Sequence, residues 1–110
     1  MGTAATIDEA TIQEIVQRIL AAARPRRIIL FGSAATGRMT PDSDVDLLVV
    51  EDAPRNPRAE SVRLRQALGE LGFPIDVLVI AADRFEETKD LVGGIAYPAH
   101  RYGKVIYEAA

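Results

Sequence analysis

Hydrophobic residues recur every three or four positions in two stretches of the chain, and each stretch predicts an amphipathic helix. The first helix ends near Arg24-Pro25, because proline disfavours helical conformation in the residue before it. At its start, either Thr11 with Glu14 or Thr6 with Glu9 can form a capping box. The apolar face of this helix consists of Ile12, Ile15, Val16, Ile19, Leu20 and Ala23.

The second amphipathic helix is expected from Arg58 to Leu71, and Gly72 ends it. A third, more polar helix is expected from Asp83 to Val92, with Asp83 as a plausible N-cap. The segment from Gly93 to Arg101 shows no regular pattern and is expected to be irregular. The residues of the second helix that are available to the core are Val62, Leu64, Ala67, Leu68 and Leu71.

Short runs of β-branched and other apolar residues predict four strands. They extend from Arg27 to Phe31, from Val45 to Val50, from Ile75 to Ile80 and, at an edge of the sheet, from Lys104 to Tyr107. The first two are apolar enough to be buried strands. Helices and strands in this order predict an α/β (α+β) fold, in which helices flank a small mixed sheet.

The composition is that of one soluble domain. The 110 residues are 48% hydrophobic and 26% charged, and no apolar run approaches the roughly 18 residues that a membrane span requires. The N-terminus also lacks the basic start and the apolar core of a signal peptide. We therefore expect a cytoplasmic protein with no membrane partner and a single domain over residues 1–110.

Charge and residue usage restrict the chemistry. The net charge of −3 argues against general nucleic-acid binding, so no direct nucleic-acid partner is expected. Cysteine is absent, which excludes disulfides, thiol catalysis and thiolate metal sites, and the single His100 excludes a polyhistidine zinc site. Any metal must therefore be a hard cation held by oxygen ligands.

Aspartates open the second and the third predicted strand. Side chains two residues apart on a strand share a face, so the carboxylates of Asp44 and Asp46 can bind one cation or a close pair. A third strand beside the second would present Asp76 to the same site. Three carboxylates favour Mg²⁺ or Mn²⁺. Taken singly, an Asp-x-Asp pair is more often a surface turn or a calcium-like loop.

A candidate phosphate site follows the first strand. Gly32 lets the backbone approach a ligand closely, and the next N–H groups, with the Ser33 hydroxyl, can cradle phosphate oxygens. The connection over residues 32–44 is long for a compact domain, although residues 33–36 could form one helical turn. Carboxylates on one side and a phosphate turn on the other are typical of a site for a nucleoside triphosphate.

These motifs resemble those of the nucleotidyltransferase superfamily related to DNA polymerase β. Within it, the chain resembles the minimal nucleotidyltransferase (MNT) family of prokaryotic HEPN/MNT toxin–antitoxin pairs, from about Ile12 to Glu108. The resemblance implies a polymerase-β-like palm that binds ATP with two Mg²⁺ ions. It rests on Phe31-Gly32-Ser33, Gly37, Ser43-Asp44-Val45-Asp46-Leu47-Leu48-Val49, Ile75-Asp76-Val77 and the tail from Tyr97 to Glu108.

The resemblance also implies roles for the acidic residues. Asp44 and Asp46 would bridge both metal ions, and Asp76 would join the metal that holds the attacking hydroxyl and accept its proton. All three are therefore candidate metal ligands and candidate catalytic residues.

The nucleotide-binding set implied by the resemblance is Gly32, Ser33, Arg38 and Ser43, with Gly32 and Ser33 holding the β and γ phosphates. Many family members have Gly-Ser-Arg-x-Arg-Gly at the phosphate turn. This chain has Gly-Ser-Ala-Ala-Thr-Gly-Arg over residues 32–38, so Arg38 is the candidate to replace the missing arginines.

In the best-understood family members, the acceptor is a tyrosine of a HEPN toxin, an RNase that is silenced by AMP. We therefore expect an antitoxin that transfers AMP from ATP to a tyrosine of a cognate HEPN toxin, within a heteromeric complex. Two alternatives stay open: neutralisation by binding alone, and transfer to a small molecule such as an aminoglycoside. Tyr97, Tyr102 and Tyr107 are expected to pack the C-terminal segment or to contact a partner, and His100 to lie at the surface.

Overall fold

The computed structural model describes residues 7–32, 35 and 44–110. Within these ranges the chain forms a mixed α+β fold, a four-stranded sheet flanked by helices, as predicted. None of the described helices has the length and apolar character that a membrane span requires. The elements are α1 (Glu9–Ala22), β1 (Arg27–Phe31), β2 (Val45–Glu51), α2 (Pro57–Leu68), β3 (Ile75–Ala81), α3 (Ala82–Thr88), α4 (Ala96–Tyr102) and β4 (Lys104–Glu108).

The sheet has the strand order β3-β2-β1-β4, with β4 at one edge as predicted. β1 is antiparallel to both of its neighbours, whereas β2 and β3 are parallel. Parallel strands need a crossover connection, and α2 provides it. This crossover brings the first residues of β2 and β3 to the same end of the sheet.

Each face of the sheet carries its own core. Face A is covered by α1 and α2, and face B by α3 and α4. The two faces share no strand residue, because successive side chains on a strand point in opposite directions. The sheet residues of the face A core are Ile28, Leu30, Val45, Leu47, Val49, Ile75 and Val77. Those of the face B core are Ile29, Phe31, Leu48 and Val50.

Helix α1 begins after Asp8, which neither predicted capping box included. The Asp8 carboxylate accepts a hydrogen bond from the Thr11 N–H at 2.9 Å, so Thr11 lies inside the first turn and Asp8 is the N-cap. Hydrogen bonding from the Thr11 side chain, and then from its N–H, lowers the pKa of Asp8. Thr6 lies outside the described residues. The helix ends at Ala22, close to the predicted boundary, and the predicted core residue Leu20 is 37% exposed.

Helix α2 is shorter than predicted at its C-terminal end. It begins at Pro57 behind the N-cap Asn56, whose side chain accepts a hydrogen bond from the Ala59 N–H. The predicted end at Gly72 is wrong, because the helix ends at Leu68 and Gly69 adopts a φ of 63°. Glycine adopts this conformation without the steric penalty that other residues incur, so the first of the two glycines ends the helix.

The C-terminal third departs most from the sequence predictions. Helix α3 starts at Ala82 without a side-chain cap, so the predicted Asp83 cap is wrong, and it ends at Thr88. The segment predicted to be irregular contains α4, which buries only Ala96 and Ala99. Two small residues give a weak apolar signal, which explains the error.

The three tyrosines and the histidine of this segment occupy different environments. Tyr107 packs partly buried against the face A core and Tyr97 is half-buried, whereas Tyr102 is 60% exposed. His100 lies at the surface, with its ring edge-on to the Phe85 ring at a centroid distance of 6.2 Å.

Candidate active site

Asp46 and Asp76 are direct neighbours on the parallel strands β2 and β3. Asp46 also lies opposite Phe31, the last residue of β1. The alternation of side chains places both carboxylates on face B. Asp44 precedes β2 by one residue and is exposed, as is Asp76, whereas Asp46 is half-buried. The structure thus brings Asp46 and Asp76 together, while their catalytic roles stay predictions.

Asp46 is affected by its burial and by the other two aspartates. Burial raises the pKa of Asp46, and the negative charges of Asp76 and then of Asp44 raise it further. Within the described residues, no three carboxylate or imidazole side chains are gathered closely enough to hold a metal ion. Like charges repel, so carboxylates without a cation have no force that draws their oxygens together. We call Asp44, Asp46 and Asp76 the acidic cluster. Metal binding by these residues stays a prediction.

Gly32 lies directly against the Asp46 carboxylate. Its φ of 74° falls in the left-handed region, which favours glycine. A Cβ atom at this position would also collide with Asp46 Oδ2, so a larger residue would have to displace the Asp46 carboxylate. The Gly32 carbonyl accepts a hydrogen bond from the Ala35 N–H at 3.1 Å, which turns the chain directly after β1. The predicted contact of Gly32 with phosphate stays a prediction.

The other predicted nucleotide-binding residues, Ser33, Arg38 and Ser43, lie outside the described residues. Of the helical turn predicted over residues 33–36, only Ala35 is described, and its conformation is helical.

Comparison with protein families identifies the fold. A family model described as "Nucleotidyltransferase domain" matches residues 10–98, which is most of the chain. This chain belongs to the nucleotidyltransferase domain family. The match includes Gly32 and all three aspartates, and the family supports nucleotide transfer as the activity. A comparison with curated proteins found no match.

The donor set of this nucleotidyltransferase domain suits a hard cation. Carboxylate oxygens are the ligands that Mg²⁺ prefers. Burial first, and then the charges of Asp76 and Asp44, raise the pKa of Asp46, and a nearby divalent cation would offset the repulsion among these charges. The aspartates therefore suit a hard cation in donor type, whereas the described side chains are not gathered into a metal-holding group.

A large cleft lies away from these carboxylates. Its volume is about 770 Å³, and it is formed by the end of α1, the residues up to Arg26, Asp52 and the C-terminal residues Tyr107 and Ala109. No predicted site residue lines it, so size alone does not locate the active site of this domain.

A smaller groove of about 250 Å³ begins at the acidic cluster, and we call it the β3 groove. The β3 groove could not be predicted from the sequence, because its shape depends on how α2 is rotated against β3. Val62, predicted to face the core, is 56% exposed in this groove. The groove is lined by Ser61, Val62, Arg65 and Gln66 of α2 and by Ile75, Asp76 and Val77 of β3.

Proposed function

We propose that this nucleotidyltransferase domain is an antitoxin enzyme that transfers AMP from ATP to a tyrosine of a cognate HEPN RNase toxin. The main supporting observation is the acidic cluster, in which Asp46 and Asp76 are neighbours and Asp44 is close enough to raise the pKa of Asp46. Family membership supports nucleotidyl transfer. The antitoxin role is supported by the resemblance of the motifs to the MNT family.

Asp44 and Asp46 are the proposed ligands of two Mg²⁺ ions, with Asp76 as the third carboxylate. When bound, the ions would neutralise phosphate charge and favour the ionised form of the acceptor hydroxyl. The buried apolar part of β2 holds Asp46 in place, since Leu47 and Leu48 are fully buried.

The transfer is an in-line displacement at the α-phosphorus of ATP. The tyrosine oxygen forms a bond to this phosphorus, and the bond from the phosphorus to the oxygen that bridges to the β-phosphate breaks. Pyrophosphate leaves with that oxygen, while Asp76 accepts the proton of the tyrosine hydroxyl. Gly32 and Ser33 hold the β and γ phosphates, so the protein contributes mainly orientation and charge neutralisation.

The test is a transfer assay with ATP labelled at the α-phosphate, Mg²⁺ and the cognate HEPN protein that this proposal requires. We expect label on a tyrosine of the HEPN protein together with loss of its RNase activity. Asp44→Asn should abolish labelling, whereas Asp83→Asn, which changes an exposed aspartate of α3, should not. Labelling that persists in Asp44→Asn would contradict the assignment.

Neutralisation by binding alone is the second candidate. It is favoured by an apolar surface segment in which Leu91 is 60% and Val92 is 82% exposed. A variant with Asp44→Asn, Asp46→Asn and Asp76→Asn separates the two functions. Full neutralisation by this variant, together with loss of neutralisation in Val92→Asp, would establish binding as the mechanism.

A further inference from the structure

The β3 groove meets the acidic cluster at the edge of β3: the α2 wall of the groove is on face A, whereas the Asp76 carboxylate is on face B. A segment that pairs with β3 would direct alternate side chains to the two faces, so one can lie at Arg65 and the next beside Asp76. The groove's volume of about 250 Å³ is below the roughly 300–1,000 Å³ of pockets that enclose small molecules. It is an open groove between one strand and one helix. This size suits a few side chains of a peptide better than a second small substrate.

The main chain of β3 borders this groove at Ile75 and Val77, while Ser61 of α2 already accepts from the Val79 N–H. Among the described strands, β3 is outermost and pairs only with β2. The Val79 N–H points away from β2 and donates to the Ser61 hydroxyl at 3.0 Å. Alternate residues of a strand direct their main-chain groups to the same side, so Ile75 and Val77 direct theirs away from β2 as well. An extended segment can therefore add to β3 beside Asp76.

The side chains of α2 indicate what this segment contains. Arg65 is exposed, and among the described residues it forms no ion pair, unlike Arg63 on the same helix, which pairs with Glu60. Val62 presents an exposed apolar surface next to it in the groove. A guanidinium beside an apolar side chain complements an acidic residue and an apolar residue of a partner.

We propose that the β3 groove binds an extended segment of the acceptor protein and thereby delivers its hydroxyl group to Asp76. The segment adds to the edge of β3, with an acidic side chain at Arg65 and an apolar side chain at Val62. This inference rests on the proposed function, because it requires a protein acceptor. It makes Arg65 and Val62 specificity residues rather than catalytic ones.

Kinetics with Arg65→Glu test the proposal. We expect KM for the HEPN protein to rise at least about tenfold, with kcat and the affinity for ATP unchanged, because charge reversal repels an acidic partner. Arg58→Glu is the matched control, since Arg58 is an exposed arginine of the same helix outside the groove. An unchanged KM in Arg65→Glu, or an equal rise in Arg58→Glu, would overturn the proposal.

Site-directed cross-linking tests the groove independently of transfer. The chain has no cysteine, so Gln66→Cys accepts a single benzophenone maleimide in the groove. We expect photo-cross-links to the HEPN segment that carries the modified tyrosine, and none from Arg58→Cys. Absence of cross-links from position 66, or equal cross-linking from both positions, would reject the groove. Failure of the wild-type protein to label its partner would reject the proposed function instead, because cross-linking requires only binding.

Discussion

The two faces of the sheet are built on the same strands but differ in how well they are covered. Among the described residues, the core of face A has 13 buried members, seven on the sheet and six on helices of 14 and 12 residues. The core of face B has seven, four on the sheet and three on two helices of seven residues. Short helices leave part of face B open: Leu78, next to Asp76 on that face, is 38% exposed. The face with less cover carries the acidic cluster.

This difference shows how a small domain combines stability with chemistry. Strand β2 contributes Leu47 and Val49 to face A, and Asp46 and Leu48 to face B. Face A anchors the strand through apolar burial, while face B leaves its first residues accessible to substrate. A site on a strand that is buried from the other side is held more rigidly than a site on a loop.

Replacing Asp46 should have the largest effect and should separate activity from stability. Asp46→Asn is expected to lower the rate of nucleotide transfer about 10²–10³-fold, because it removes charge from the proposed metal-binding set. Without metal at pH 7, the same change should increase the free energy of unfolding by up to about 1 kcal/mol, after allowing for solvent screening of the half-buried carboxylate. Transfer assays and urea denaturation measure the two effects.

The gain in stability should depend on pH. Because the pKa of Asp46 is raised in the folded state, its contribution to stability is present at low pH and is lost as the pH rises through that pKa. Asparagine resembles the protonated form, so the gain should shrink as the pH falls towards 3.8, the ordinary pKa of an aspartate. If Asp46→Asn were less stable than the wild type at pH 7, repulsion among the carboxylates of face B would not destabilise the folded state.

Two adjacent leucines of β2 provide a matched test of the two cores. Leu47 and Leu48 are both fully buried but belong to face A and face B, respectively. We expect Leu47→Ala to cost about 3–5 kcal/mol and Leu48→Ala about 2–3 kcal/mol, because short helices can relax into a cavity more easily. Chemical denaturation of both variants measures the difference. Equal costs would mean that the helices of face B are held as firmly as those of face A.

Much of the fold was predictable from local patterns, but not all of it. Strands β1 and β2 are dense apolar runs between turn-forming residues, which is a strong local signal. Helix α4 gives a weak signal because only Ala96 and Ala99 are buried. Either Gly69 or Gly72 could have ended α2, and the pattern of apolar residues did not show which of them does.

The site was predictable only where spacing along the chain determines geometry. Asp46 is the second residue of β2 and Asp44 directly precedes the strand, so their proximity follows from their spacing of two along the chain. Asp46 and Asp76 are neighbours because β2 and β3 are parallel and joined by α2. The sequence suggests this crossover but does not specify it. Arg65 was not identified as a candidate, because its position depends on the rotation of a helix against the sheet.

Gly103 connects the helical cover of face B to the sheet. A Cβ atom here would collide with the Ala99 carbonyl oxygen and would lie 2.6 Å from Ile29 Cγ2. Its φ of −81° is accessible to any residue, so the requirement for glycine is purely steric. Gly103→Ala should therefore lower the free energy of unfolding by about 1–3 kcal/mol in thermal or urea denaturation.

Gly94→Ala is the matched control for this change, because no atom lies within 4 Å of a Cβ at that position. It should be neutral or stabilising by up to about 1 kcal/mol. If Gly103→Ala were equally neutral, α4 would be free to move away from β1, and the cover of face B would be looser than the structure shows.

The smallest expected effect concerns Glu51, the last residue of β2, which the alternation places on face A. Burial, followed by the hydrogen bond and the charge of Glu60, raises its pKa to about 7, while Arg63 opposes this shift. Its Oε2 atom is buried and accepts no hydrogen bond from the described residues, so its charged form is poorly compensated. Face A therefore also holds a carboxylate whose charged form is destabilised, but this carboxylate lies far from the acidic cluster.

Glu51→Gln tests whether the destabilising charge of Glu51 on face A affects stability without affecting nucleotide transfer. Since the pKa is raised, the contribution of Glu51 to stability is full below 4.5 and is lost as the pH rises through about 7. We expect Glu51→Gln to stabilise the protein by about 1 kcal/mol at pH 8, after allowing for solvent screening, and to have little effect near pH 5. Nucleotide transfer should be unchanged, because Glu51 and Asp46 lie at opposite ends of β2. A loss of transfer would mean that the charge of Glu51 influences the acidic cluster, and that stability and chemistry are not divided between the two faces.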